Sequence, residues 1–116
     1  MSSIKLPSLL LLAAAATHAA WAQPYPSKPV RVVTQFAAGA SGDVLTRVLT
    51  THLQESMGQP MVVENKAGGG GVIAAQEVAR AAPDGYTLFL STGAQVTIAP
   101  ALRRDLQYDP VRDFAH

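Results

Sequence analysis

VRVVTQFAAGASGD, residues 30–43, is the stretch that decides the fold. Its first part, Val30–Phe36, is β-branched and apolar, which predicts a buried β-strand. Ser41 is predicted to cap the helix that follows, and Asp43 in the first turn suits the positive end of the helix dipole. A strand that turns directly into a helix brings unpaired backbone N–H groups to one point. The stretch therefore predicts a turn that can bind an anion.

The helix after this turn is predicted to be amphipathic and to end before Gly58 and Pro60, which form a typical helix stop. Apolar residues fall at the spacing of one helical face, and polar residues, Thr46 and Thr50 among them, take the other face. The apolar face consists of Val44, Leu45, Val48, Leu49 and Leu53, with Met57 one turn further on.

The remaining chain continues the alternation of strand and helix. Further strands are predicted at Met61–Glu64 and Tyr86–Leu90, and further helices at Val72–Ala81 and within Val96–Arg104. This alternation predicts an α/β fold with a parallel sheet, right-handed crossovers and flanking helices. The loops at 36–43 and 91–94 both leave strands at their carboxyl ends, where such sheets bind ligands. The glycines of residues 68–71 are interpreted as a flexible connection in preference to a ligand contact.

Residues 1–22 are predicted to be a signal peptide. Lys5 supplies the basic start, residues 6–16 form a short apolar run, and Ala20-Trp21-Ala22 matches a signal peptidase site. The apolar run is shorter than the roughly 20 residues that span a bilayer. The sequence thus predicts an exported, periplasmic protein whose mature part is residues 23–116.

Composition and motifs exclude several classes of function. Without Lys5, eight basic and eight acidic residues remain, so the chain has no electrostatic footprint for nucleic acid. There is no cysteine, hence no disulfide or thiolate catalysis. His52 is interpreted as a surface residue, so no metal site is predicted. Asp43 stands where a nucleophile elbow requires glycine, and no dinucleotide fingerprint or Walker A spacing is present. The sequence therefore predicts no cofactor and no enzymatic activity.

Backbone donors remain as the candidate chemistry. Residues 39–42 can present N–H groups to a carboxylate at the helix start, and Ser41 adds a hydroxyl. Asp43 has two open interpretations: it accepts a hydrogen bond from a ligand or bridging water, or it only stabilises the helix start. Thr92 and Gly93 are predicted to supply a second set of donors from the neighbouring strand exit.

Several segments resemble the receptors of tripartite tricarboxylate transporters, the Bug or TctC-like family. Residues 30–43 are similar to the first strand and loop of these receptors, and GQPMVVENKAGGGG, residues 58–71, to their second strand and glycine loop. The segments APDGYTL, residues 82–88, and YDPVRDF, residues 108–114, resemble later markers of the family. The similarity runs in the right order through almost all of residues 23–116.

The resemblance implies the first domain only of a two-domain, type II periplasmic-binding-protein fold, because the chain has about a third of such a receptor's length. It implies a small organic carboxylate as ligand and possible membrane permease subunits as partners. The ligand residues that it implies come from the first loop and from the loop after the third strand: Phe36, Ala38, Gly39, Ser41, Asp43, Thr92 and Gly93. The family usually has proline before the phenylalanine and Gly-Gly in the loop, whereas this chain has Gln35 and Ala40.

The sequence thus predicts a non-catalytic, exported solute-binding protein, here truncated. Two alternatives stay open at this point. A truncated chain with unmatched sheet edges could lack any function, and a small exported α/β enzyme would need a catalytic constellation that the residues do not supply.

Overall fold

The computed structural model describes residues 23–115, so the predicted signal peptide and His116 lie outside the described part. Three parallel strands form one sheet: β1 is Val30–Thr34, β2 is Met61–Asn65 and β3 is Thr87–Leu90. The strand order is β2-β1-β3, which puts the first strand in the centre. The predicted α/β fold with a parallel sheet is confirmed.

Helices cover both faces of the sheet. Helix α1 is Ser41–Met57 and helix α2 is Val72–Ala79. On the α1 face, Val30 and Val32 pack with Met61 and are covered by Leu53 and Met57. On the α2 face, Val33 packs with Ala74 and Val78. Because alternate β1 side chains point to opposite faces, this single strand contributes to both cores.

A charge network fastens α2 to its face of the sheet. Arg31 on β1 donates to both carboxylate oxygens of Glu64 on β2, at 2.6 and 2.7 Å, and also contacts Glu77 of α2. Lys66 lies 3.3 Å from the other oxygen of Glu77. The hydrogen bonds that Arg31 donates lower the pKa of Glu64, and acceptance of these bonds by both glutamates raises the pKa of Arg31. Each charge is therefore matched within the network.

Helix α1 departs from the amphipathic prediction. Val44, Leu45, Val48 and Leu49 are 45–65% exposed, whereas Thr46 and Thr50 from the predicted polar face are buried. Both threonine hydroxyls donate to carbonyls of their own helix, Thr46 to Gly42 at 2.7 Å and Thr50 to Arg47 at 3.1 Å. Because these bonds satisfy the hydroxyls, small threonines can pack against the sheet at low cost.

The ends of α1 also differ from one another. The N-cap is Ala40 rather than the predicted Ser41, which is the first helical residue. At the other end Gly58 takes a left-handed conformation with φ of 71°, and its N–H bonds the carbonyl of Gln54 at 2.9 Å. The predicted glycine stop is thus confirmed.

After β3 the chain forms a π-helical turn, Ala94–Ile98, which continues into the short helix α3, Ala99–Leu102. The residue that would donate to the carbonyl of Gln95 in a π-helix is Pro100, which has no N–H. The buried hydroxyl of Tyr108 donates to that carbonyl instead, at 2.7 Å. Between β2 and α2, Gly69–Gly71 form one 3-10 turn. Among residues 23–115, no helix has the length and apolarity that crossing a membrane requires.

Candidate functional site

The three strands end at one edge of the sheet, and we call the segments that follow them there, residues 35–43, 65–71 and 91–95, the carboxyl rim. In the first of these segments, the buried carboxylate of Asp43 is the centre of the hydrogen bonding. Its Oδ2 accepts from the Gly39 N–H at 2.9 Å and from Arg47 at 3.0 Å. Its Oδ1 accepts from the side-chain amide of Asn65 at 2.8 Å. Asp43 thereby joins the first segment to the second.

These bonds set the charge state of Asp43. The Asn65 amide, the Gly39 N–H and the Arg47 guanidinium, in that order, lower its pKa from 3.8 to about 2. Asp43 is therefore ionised throughout the physiological pH range, and both of its oxygens already have donors. The same Asn65 amide also donates to the carbonyl of Phe36 at 2.9 Å, which fixes the strand exit.

The other predicted residues of the first segment differ in their availability. Gly39 has φ of 82° and its N–H is bonded to Asp43, while Ala38 and Ser41 are exposed. Half-buried Phe36 packs so closely over Gly42 that a Cβ on this glycine would overlap the ring. The N–H groups of Ser41 and Gly42 open the helix and have no acceptor within it. They are the donors that this segment presents.

In the third segment, the buried side-chain amide of Gln95 is the centre. Its Nε2 donates to the carbonyl of Gly70. Its Oε1 accepts from the hydroxyls of Ser91 at 2.6 Å and Thr92 at 3.2 Å. Gln95 thereby joins the third segment to the second, as Asp43 does from the other side. Gly93, the remaining predicted residue, is exposed and its carbonyl accepts from Thr97 at 2.6 Å.

The first and third segments meet directly. Gln35 donates through Nε2 to the Thr92 hydroxyl oxygen at 3.1 Å. Both predicted loops therefore lie on one rim, as the strand exits imply. A cleft of about 310 Å³ opens between the three segments; Gln35, Phe36, Gly68, Gly70, Gly71, Thr92, Ala94 and Gln95 line it.

Besides connecting β2 to α2, the glycines of residues 68–71 take part in the rim: three of them line the cleft, and Gly70 accepts a hydrogen bond from Gln95. Gly71 is buried with φ of 87°, and a Cβ there would overlap side-chain atoms of both Gln35 and Gln95. Because only glycine fits this place, the turn can pack against the rim and line the cleft.

Sequence reasoning did not include Asn65, Gln95 or the glycine turn among the site residues. Gln95 had a signal: it is a polar residue in an otherwise apolar helical stretch, AQVTIAPAL at residues 94–102. Gln35 departs from the pattern of the resembling family, and its hydrogen bond to Thr92 gives this departure a place in the rim. Across residues 23–115, no three histidine or acidic side chains cluster as metal ligands would.

The chain belongs to the tripartite tricarboxylate transporter receptor family, TctC, whose model matches residues 45–116. This is a family of periplasmic solute-binding receptors, not of enzymes, so the prediction of a non-enzyme is confirmed. Protein BugT of Bordetella pertussis is 43% identical over 94 residues, which are 80% of this chain and 29% of BugT. A UPF0065 protein of Bordetella bronchiseptica is 42% identical over 104 residues, 90% of this chain and 31% of that protein.

Solved structures agree in fold. The periplasmic binding protein BugD superposes with a TM-score of 0.72 at 41% identity, covering 78% of this chain and 30% of BugD. MatC from Rhodopseudomonas palustris, solved with bound malate, gives a TM-score of 0.72 at 41% identity and covers 78% of this chain and 31% of MatC. Another R. palustris protein, solved with adipate, gives 0.70 at 34% identity, over 75% of this chain and 29% of that protein. The chain thus spans less than a third of the length of these relatives.

Proposed function

We propose that the carboxyl rim is one wall of the binding cleft of a periplasmic receptor for a small organic carboxylate. The observation that carries this proposal is the convergence of the first and third segments on one cleft, joined by the hydrogen bond from Gln35 to Thr92. Similar proteins have been solved with malate and with adipate, both dicarboxylates. The rim offers a carboxylate the N–H groups at the start of α1.

The carboxylate lies, in this proposal, against the backbone of Ser41 and Gly42, with Phe36 beneath it and Ala38 beside it. Thr92 and Gly93 border it from the third segment. Gly39 and Asp43 act by holding the loop in shape through their mutual hydrogen bond. A helix start binds anions because its N–H groups and dipole both favour negative charge.

The wider setting is also proposed. Residues 1–22 direct export to the periplasm, residues 23–116 belong to the first domain, and the receptor delivers its solute to tripartite tricarboxylate-type permease subunits. The family resemblance implies a second domain, which would supply the opposite wall of the cleft. Two walls that close on a ligand bury more of it than one, so a two-domain receptor binds more tightly than one wall alone.

Ser41 offers a test of the backbone donors. Proline is well tolerated at the first helical position, and Ala40 before it has ψ of 160°, as a residue before proline prefers. Ser41→Pro therefore removes one N–H and the hydroxyl while the helix is kept, and Ser41→Ala removes the hydroxyl alone. A charge-assisted hydrogen bond is worth about 1.5–3 kcal/mol, so Ser41→Pro should weaken carboxylate binding by roughly 10- to 100-fold.

Calorimetric titration measures the affinity of the wild-type chain, Ser41→Pro and Ser41→Ala for malate and adipate. Glucose is the uncharged control solute. Ser41→Ala should bind more tightly than Ser41→Pro, since it keeps the N–H group and loses the hydroxyl alone. Equal affinities of Ser41→Pro and Ser41→Ala would remove the Ser41 N–H from the site. Absence of binding of both malate and adipate to the wild-type chain would contradict the proposed carboxylate site on this rim.

A further inference from the structure

Gln35 lines the cleft, and the hydrogen bonds around it fix the orientation of its side-chain amide. The carbonyl of Gly70 can only accept, so Gln95 must direct Nε2 toward it and keep Oε1 for the hydroxyls on its other side. Thr92 has one hydroxyl proton and gives it to Gln95 Oε1 at 3.2 Å. Its oxygen is then free to accept.

Gln35 is the last member of this chain of hydrogen bonds. Because the Thr92 oxygen accepts, Gln35 must present Nε2 to it, at 3.1 Å. The carbonyl end of the Gln35 amide is thereby turned away from Thr92. This Oε1 atom is buried and has no hydrogen-bond partner among residues 23–115, and it lies beside Gly71, a residue that lines the cleft. The only other such side-chain atom in that range is Oγ1 of Thr34, which does not line the cleft.

An acceptor buried without a donor costs about 1–3 kcal/mol, which a partner in the cleft would recover. A fully ionised dicarboxylate has only acceptors and would repel this oxygen. A carboxylate that carries a hydroxyl or ammonium group near its anionic end supplies the missing donor. The two ligands seen in similar proteins differ in this respect, because malate has a hydroxyl and adipate has none.

We propose that Gln35 makes the receptor selective for carboxylates that bear a hydrogen-bond donor, such as hydroxy or amino acids, over plain dicarboxylates. This inference rests on the proposed carboxylate-binding function and adds the ligand class to it. Thr92 and Gln95 act as positioning residues that hold the amide in one orientation.

Three matched ligands test it: succinate, malate and aspartate share four carbons and two carboxylates and differ only in a hydrogen, hydroxyl or ammonium group. Malate and aspartate are titrated as both enantiomers. The wild-type chain should bind the better of these two about five- to tenfold more tightly than succinate, the worth of one hydrogen bond. A preference for malate identifies a hydroxy acid and a preference for aspartate an amino acid.

Variants locate the preference. Gln35→Met keeps the size of the side chain without the acceptor and should bring the ratio below about twofold, because the donor-bearing ligand loses its partner and succinate loses a repulsion. Gln107→Met is the matched control, because Gln107 is exposed and accepts a hydrogen bond from Arg80, away from the cleft. Thr92→Val should also lower the ratio by releasing the amide, and Thr92→Ser should restore it.

The outcomes separate the two proposals. Equal binding of all three ligands to the wild-type chain would overturn the selectivity and leave the carboxylate receptor intact. A preference that survives Gln35→Met would assign the donor contact to another residue and equally overturn the inference. Absence of binding by all three ligands would overturn both proposals. Circular dichroism of each variant shows whether the fold is kept, and Thr92→Ser decides the matter if Gln35→Met does not fold.

Discussion

The first and third segments of the carboxyl rim are built on the same plan with different chemistry. Each is held by one buried polar side chain that reaches across to the segment after β2: Asp43 bonds Asn65, and Gln95 bonds Gly70. Asp43 is a carboxylate stabilised by three donors, whereas Gln95 is a neutral amide that both donates and accepts. One side of the rim therefore depends on a charge and the other does not.

The difference teaches how a rim can present donors to an anion and still be stable. A buried carboxylate close to an anion site would repel the ligand if its charge were not compensated. Here Arg47 and the Asn65 amide compensate it, and the neutral Gln95 adds no charge on the opposite side. The middle segment, residues 65–71, is the common support of both loops.

The largest expected effect concerns this common support. Gly71→Ala combines a positive φ with direct overlap on Gln35 and Gln95 and should lower the free energy of unfolding by about 2–4 kcal/mol. Gly39→Ala is the matched control on the charged side: φ is 82°, but nothing lies within 4 Å of the new Cβ. It should cost only about 1–2 kcal/mol. Urea unfolding measures both, and equal losses would show that residue 71 is not crowded.

Removal of the charge should have the next largest effect. Asp43→Asn replaces an acceptor by an N–H₂ group that faces donors from Gly39, Arg47 or Asn65, so the first loop loosens and the melting temperature falls by several degrees. Asp105→Asn is the control, because Asp105 is exposed and its partner Arg103 lies 3.4 Å away. A thermal melt that shows the same small change for both variants would contradict the central place of Asp43.

The pH dependence of stability should distinguish the Asp43 side of the rim from the Gln95 side. The pKa of Asp43 is lowered from 3.8 to about 2 on folding, so its contribution to stability is present above pH 3.8 and is lost as the pH falls toward 2. Wild-type chain and Asp43→Asn should therefore approach each other in stability over this window. Gln95 does not titrate, so Gln95→Met should remain equally destabilised across it. Urea midpoints measured from pH 5 to pH 2 check this, and a constant gap for Asp43→Asn would disagree with the assigned charge.

The smallest expected effect concerns the hydrogen bond to the backbone carbonyl of Gln95. Tyr108→Phe leaves the backbone carbonyl of Gln95 without its hydroxyl donor and should cost about 1–2 kcal/mol, since that acceptor is buried. In the control Tyr25→Phe, the lost bond to the Gly85 carbonyl, 2.6 Å long, is exposed and should be worth about 0.5 kcal/mol or less. Urea unfolding of the two variants compares them. If Tyr108→Phe costs no more than Tyr25→Phe, the π-helical turn does not need this bond.

The order and type of the elements could be predicted from the sequence, because β-branched runs and the glycine stop at Gly58 act locally. The faces of α1 could not. Hydrophobic periodicity does not reveal that Thr46 and Thr50 satisfy their hydroxyls within the helix and so can be buried. By contrast, the position of both loops on one rim could be predicted, because it follows from the direction of the strands. The partners of Asp43 and Gln95 come from residues 22 and 25 positions away, which no local pattern indicates.

The central place of β1 has a consequence for how the chain acquires its structure. Val30 pairs with Met61 and Arg31 with Thr87, so the strand that is made first has to wait for partners that are made much later. Contacts between residues so distant in sequence close slowly. Until β3 arrives, the apolar run VRVVT lacks one neighbour and is open to pairing with other chains. We therefore expect refolding yield to fall as protein concentration rises, with residues 30–34 as the segment that initiates aggregation.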